Sequence, residues 1–195
     1  MLTLPTLITL GRIALIPVFA WLAVRYAASI TATSSDEILR YTAVAVYVIA
    51  AASDGLDGYL ARRLDQRTKL GAFLDPIADK GLLLTGLVTL SLVPWDNQGW
   101  RIPLWFLALV ILRDCIILGG IVILYRLNGR VPIAPVWTGK VCTVTQLIAL
   151  GWVMLKLLPF SPLYPAIVAA VFTVWSGVDY IRMGISQLPG RKQSR

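Results

Sequence analysis

Long apolar runs separated by short polar breaks occupy almost the whole chain. A helix that crosses a bilayer needs roughly 20 mainly apolar residues. Six stretches reach that length, near residues 5–26, 39–61, 70–93, 102–126, 136–158 and 162–184. They are too long and too continuously apolar for the alternating strands of about ten residues that build a transmembrane barrel. The pattern therefore predicts an all-α integral membrane protein with six transmembrane helices. Pro5, Arg12 and Pro17 interrupt the first run, which predicts a short N-terminal interfacial helix bending into the first span. No basic stretch precedes that run and no small-residue cleavage site with a soluble remainder follows it, so a signal peptide is not expected. Six spans leave little chain for a soluble domain. Residues 1–186 read as one membrane domain and 187–195 as a basic flexible tail.

Composition sharpens this picture. Only 14% of the 195 residues are charged, against 57% hydrophobic, whereas soluble domains carry about a quarter charged residues. The net charge of +8 comes from 18 basic and 10 acidic residues. Arg62, Arg63, Arg67 and Lys69 lie between spans two and three. Arg126, Arg130 and Lys140 lie at or near the junction of spans four and five, and Arg182, Arg191, Lys192 and Arg195 lie at the end of the last span and in the tail. The other loops are poorer in lysine and arginine. The positive-inside rule then puts these loops and both termini in the cytoplasm. The basic residues are spread over separate loops and form no single stripe, so no nucleic-acid partner is expected. Histidine is absent, which excludes His-based acid/base catalysis, His-bearing triads and zinc–histidine sites. Cys115 and Cys142 both sit in apolar segments and read as small buried hydrophobes.

The acids carry the chemistry. Asp54, Asp57, Asp75, Asp79, Asp114 and Asp179 fall within or at the ends of apolar spans, where a carboxylate is costly and usually functional. Asp54 and Asp57 are one helical turn apart, as are Asp75 and Asp79, so each pair shares a helix face. The short basic turn between them makes the two helices antiparallel neighbours. Four facing carboxylates repel unless cations sit among them. Oxygen ligands of this kind suit Mg²⁺ or Mn²⁺, and two such ions could clamp a displacement at phosphorus. Gly55, Gly58, Ala61 and Gly71 clear space beside the carboxylates, and Arg62 can fork onto phosphate oxygens. A transporter would also place carboxylates in spans, but neither broken helices nor inverted repeats are visible.

These residues spell D-x2-D-G-x2-A-R-x8-G-x3-D-x3-D, with Asp54, Asp57, Gly58, Ala61, Arg62, Gly71, Asp75 and Asp79 at the fixed positions. In this the sequence resembles the CDP-alcohol phosphatidyltransferase family. The start, LPTLITLGRIALIP, with Pro5, Thr9 and Arg12, is similar to that family's amphipathic first helix, although Thr6 stands where many members have asparagine. GAFLDPIADK is similar to the phosphatidylglycerophosphate synthase and cardiolipin synthase branch, and RDCIILGG and GKVCTVTQ to its acceptor-side motifs.

The resemblance implies transfer of a phosphatidyl group from CDP-diacylglycerol to a glycerol-type alcohol, with release of CMP. It implies a bacterial inner or cell membrane location, an active site at the cytoplasmic face, and a homodimer. By matched position, Asp54, Asp57, Asp75 and Asp79 surround two Mg²⁺ or Mn²⁺ ions, and Asp79 is the catalytic base. Pro5, Thr9, Gly58, Ala61, Arg62 and Gly71 hold CDP-diacylglycerol. Arg113, Arg126 and Lys140 are candidates for binding the acceptor's phosphate. Snorkelling side chains, or a local Arg113–Asp114 salt bridge, would explain the same residues. Typical bacterial phosphatidylglycerophosphate synthases have glutamate after this arginine, whereas Asp114 is closer to the eukaryotic-type cardiolipin synthase. Glycerol 3-phosphate is the expected acceptor and phosphatidylglycerol the alternative.

Overall fold

The computed structural model describes residues 4–31, 36–63, 69–96, 99–128, 136–156 and 159–187; the side chains at 4–5, 31, 54–63, 69–70, 72–73 and 128 fall outside that description. Most of the expected tail, residues 188–195, lies outside it too. Among the described residues the regular elements are six α-helices: α1 (Leu4–Thr31), α2 (Glu37–Arg63), α3 (Lys69–Leu92), α4 (Leu104–Asn128), α5 (Trp137–Leu155) and α6 (Leu163–Ser186). Each coincides with one apolar run. In lipid a backbone must satisfy its own hydrogen bonds, and a helix does so within one segment.

Where a short interfacial helix bending into the first span is expected, α1 is one continuous 28-residue helix with Pro17 inside it. A proline removes a single ladder donor, and a transmembrane helix can re-satisfy the freed carbonyl locally. Among the described residues four helical segments are long and apolar enough to cross a membrane: Thr6–Ile30, Leu104–Leu127, Trp137–Leu155 and Leu163–Ser186. They expose rows of large apolar side chains, including Trp21, Val24, Leu118, Val122, Val171 and Trp175. Such continuous apolar surface is tolerated when lipid is the solvent. The chain is thus an all-α integral membrane protein.

The chain divides into two compact units. The first comprises Met1–Arg101 with Val153–Lys156, and the second Ile102–Trp152 with Leu157–Arg195. In the first unit, contacts between α1 and α3 advance together along both helices. Thr9 meets Asp75, Arg12 meets Asp79, Ile16 lies against Gly81, and Tyr26 reaches Trp95. The two helices therefore run parallel. The helix α2 starts cleanly because Asp36 accepts hydrogen bonds from the backbone N–H groups of Ile38 (3.0 Å) and Leu39 (3.3 Å), the usual work of an N-cap aspartate. Its Tyr47 packs on Phe19 of α1 with ring centroids 4.9 Å apart. Tyr47 also lies against Gly86 of α3, where a Cβ would stand 3.0 Å from the phenol oxygen, so only glycine lets the ring and helix approach this closely.

In the second unit, α6 buries Ala166, Ala169, Thr173, Ser176 and Gly177 along one face. Small residues at such a seam let helices approach closely in a membrane. Gln146 of α5 donates to Thr173 Oγ1 at 3.2 Å, and Cys142 Sγ lies 3.4 Å from the same oxygen. Cys142 is therefore buried as expected, but Cys115 on α4 is exposed.

Candidate active site

The aspartate motif straddles the C-terminal half of α2 and the N-terminal half of α3. Asp54, Asp57, Gly58, Ala61 and Arg62 belong to α2, and their side chains fall outside the described set. Their backbone level can still be read. Asp54 follows Tyr47 by as many residues as Asp79 precedes Gly86, and Tyr47 meets Gly86. Equal rise per residue along two antiparallel helices brings Asp54 level with Asp79, and Asp57 close to the level of Asp75.

Asp75 and Asp79 are described in full. They stand one turn apart on α3, with Pro76 between them removing one ladder donor. The Thr9 hydroxyl donates to Asp75 Oδ1 at 2.8 Å. The Arg12 guanidinium donates to Asp79 Oδ1 at 2.5 Å. Thr9 and Arg12 are one turn apart on α1, so two polar pairs run in register between the helices. Gly71, one turn before Asp75, is buried. Pro5 lies in the first turn of α1, with its side chain undescribed. Among the described residues no three metal-ligating side chains gather, and of the four motif aspartates only Asp75 and Asp79 have described side chains.

Arg12 is the site residue that the sequence reading did not assign a role. Its signal was present: an arginine in an apolar span, three residues after a threonine on the same face. Thr6, Thr9 and Arg12 are all buried. They continue the face that carries Phe19, Leu22 and Tyr26 toward the core, so a polar stripe at core positions was the available clue.

In the second unit Arg113 of α4 is held on three sides. Its Nη1 donates to Asp114 Oδ1 at 2.7 Å and its Nη2 to Ser176 Oγ at 2.6 Å. The guanidinium carbon lies 5.4 Å from the Tyr180 ring centroid, within cation–π range. Gly139 of α5 closes the group: a Cβ there would stand 3.2 Å from the Tyr180 hydroxyl and 3.8 Å from Arg113 Nη2. Lys140 follows directly, with its side chain exposed. Arg126 does not join them. It sits in the last turn of α4, about 20 Å along the helix from Arg113 at the usual helical rise, and is exposed. Ser176 and Tyr180 had no sequence signal, because a serine and a tyrosine in an apolar span are commonplace.

Comparison with known proteins covers most of the chain. The family model of CDP-alcohol phosphatidyltransferases matches residues 2–176. Proteins named CDP-diacylglycerol–glycerol-3-phosphate 3-phosphatidyltransferase from Escherichia coli (strain K12) and Shigella sonnei (strain Ss046) are each 36% identical over 181 residues, covering 91% of this chain and 92% of the relative. The protein of that name from Salmonella typhimurium (strain LT2) is 35% identical over 184 residues with the same coverage.

Proposed function

Since the chain belongs to the CDP-alcohol phosphatidyltransferase family, we propose that it transfers the phosphatidyl group of CDP-diacylglycerol to glycerol 3-phosphate, giving phosphatidylglycerophosphate and CMP in glycerophospholipid biosynthesis. It is a CDP-diacylglycerol-dependent transferase of the membrane. The observation that carries the reading is the complete aspartate motif on two antiparallel helices, with Asp75 and Asp79 each engaged by α1. The acceptor in the relatives' name favours glycerol 3-phosphate over phosphatidylglycerol.

The acceptor hydroxyl attacks the phosphorus that carries the diacylglycerol. Its proton passes to the Asp79 carboxylate, which needs no histidine to act as a base. The bond from that phosphorus to the bridging oxygen breaks, and CMP departs with that oxygen. Arg62 holds the pyrophosphate, and Pro5, Thr9, Gly58, Ala61 and Gly71 complete the donor's binding surface. Arg113 and Lys140 supply positive charge for the acceptor's phosphate. Arg126, so far along α4, serves at most a separate contact with substrate or headgroups.

The family is generally dependent on divalent metals. The donor set fits a hard cation, since Asp54, Asp57, Asp75 and Asp79 offer only carboxylate oxygen. Bound there, Mg²⁺ or Mn²⁺, two ions in our reading, would offset the charge that builds on the phosphoryl oxygens. The same reading takes all six helices as spans, with both termini and the site at the cytoplasmic face of a bacterial inner or cell membrane. The basic loops support this. A homodimer is supported by the family resemblance alone.

An acceptor panel tests the reaction. Purified protein with CDP-diacylglycerol, Mg²⁺ or Mn²⁺ and glycerol 3-phosphate is expected to release CMP and give phosphatidylglycerophosphate by mass, and EDTA is expected to abolish both. Cardiolipin from phosphatidylglycerol, with no product from glycerol 3-phosphate, would replace this reading by the cardiolipin synthase one that Asp114 favours. Arg113→Ala is expected to raise KM for glycerol 3-phosphate about ten-fold or more, the loss of one or two charge-assisted hydrogen bonds. KM for CDP-diacylglycerol should stay close to wild type, and an equal rise on both substrates would contradict an acceptor role.

A further inference from the structure

We propose that Arg12 is a positioning residue for the Asp79 carboxylate, so that α1 is a working part of the transfer site as well as a membrane span. The inference rests on the reading that Asp79 serves the reaction, and it goes beyond the aspartate motif to a residue 67 positions away in sequence. A guanidinium inside an apolar span is costly unless it is paired and hydrogen-bonded. An aliphatic residue at position 12 would fill the same core place without that cost. Arg12 nevertheless has its side chain fully buried, while that of its partner Asp79 is 48% exposed. The asymmetry sets the direction of action. The buried arginine, enclosed by packing, is the fixed member, and the half-exposed carboxylate is the member that faces outward from the contact. Fixing it restricts the direction in which the carboxylate faces a substrate.

The register of the neighbouring pair supports the same role. Thr9 holds Asp75 one turn away on both helices. Together the two pairs tie both acids of the α3 half-motif to α1. The guanidinium charge on Asp79 also reduces its repulsion with Asp75 one turn away. Lysine is no substitute, because its ammonium is a point charge without the planar fork that sets orientation.

The test uses the full-length protein in detergent with two variants, Arg12→Lys and Arg12→Gln. The measurements are steady-state kinetics, Mn²⁺ affinity from the EPR signal of the free ion, and thermal unfolding. Residues that orient a metal-bound or reacting group typically account for about 10–100-fold in activity or metal affinity. We expect kcat to fall within that range in Arg12→Lys and further in Arg12→Gln, with KM for CDP-diacylglycerol changed little. Mn²⁺ binding should weaken in Arg12→Gln. The sign is diagnostic, since removing a positive charge beside a cation site would by Coulomb attraction alone tighten binding, whereas loosening a positioned ligand weakens it. A lower unfolding temperature with Mn²⁺ affinity unchanged or tighter would reduce Arg12 to a structural residue and overturn the proposal. If Arg12→Gln fails to fold, Arg12→Lys decides through kcat together with Mn²⁺ affinity, and near-normal values of both overturn the proposal. Loss of turnover in Asp79→Asn alongside a normal Arg12→Lys would defeat this inference while leaving the role of Asp79 intact.

Discussion

Asp79→Asn is expected to lower turnover by about 10²–10⁴-fold, the contribution of a positioned general base, while CDP-diacylglycerol still binds. Asparagine is nearly isosteric with aspartate. Its side-chain oxygen can still accept the hydrogen bond that Arg12 now gives to Asp79 Oδ1, so the α1–α3 contact persists. The change removes the negative charge and with it the capacity to take the acceptor's proton. Donor binding is checked by equilibrium binding of CDP-diacylglycerol in detergent, and turnover by CMP release. A variant that keeps a near-normal rate would remove Asp79 from the role of base. A variant that loses donor binding and turnover together would assign it to the donor site instead.

Trp95→Ala is expected to cost about 3–5 kcal/mol of stability, the usual range for emptying a fully buried large aromatic site. Trp95 follows α3 and has no exposed surface. Its ring stands edge-on to Tyr26 of α1 with centroids 5.0 Å apart. Its indole N–H donates to the Met154 carbonyl at 3.1 Å, and its own carbonyl accepts from the Tyr26 hydroxyl at 3.3 Å. One side chain thus ties the segment after α3 to α1 and to Met154 within the first unit. Trp95→Phe keeps most of the volume and loses the indole donor, leaving the Met154 carbonyl without this partner, at about 1–3 kcal/mol. Thermal unfolding of both variants in the same detergent separates packing from hydrogen bonding. Equal losses would mean that the hydrogen bond, and not the ring volume, dominates.

The helices were legible because their cause is local. Each apolar run is long enough to cross a bilayer, and the observed ends lie within a few residues of the expected ones, as for 70–93 against Lys69–Leu92. The first helix is the exception. Its prolines and arginine read as interruptions, yet α1 runs through them unbroken, since one lost ladder bond does not outweigh a long helix held by packing. The candidate site was legible where its residues are neighbours in sequence. Asp75 and Asp79 share a helix face by spacing alone, and the motif marked all four aspartates. The proposed acceptor residues were less so, because Arg113, Arg126 and Lys140 are linked only by charge, and helical rise along α4 separates Arg126 from Arg113.

By itself the sequence determined that this is a helical membrane protein and that its intramembrane carboxylates gather in one motif, because helix length, apolar content and one-turn spacing are properties of short stretches of chain. Only the tertiary structure decided which polar atoms meet. Arg12 finds Asp79, Thr9 finds Asp75 and Arg113 finds Ser176 across more than 60 positions of sequence. Those partnerships depend on how α1 packs on α3 and α4 on α6. A buried polar group must find some partner, but only packing decides which one.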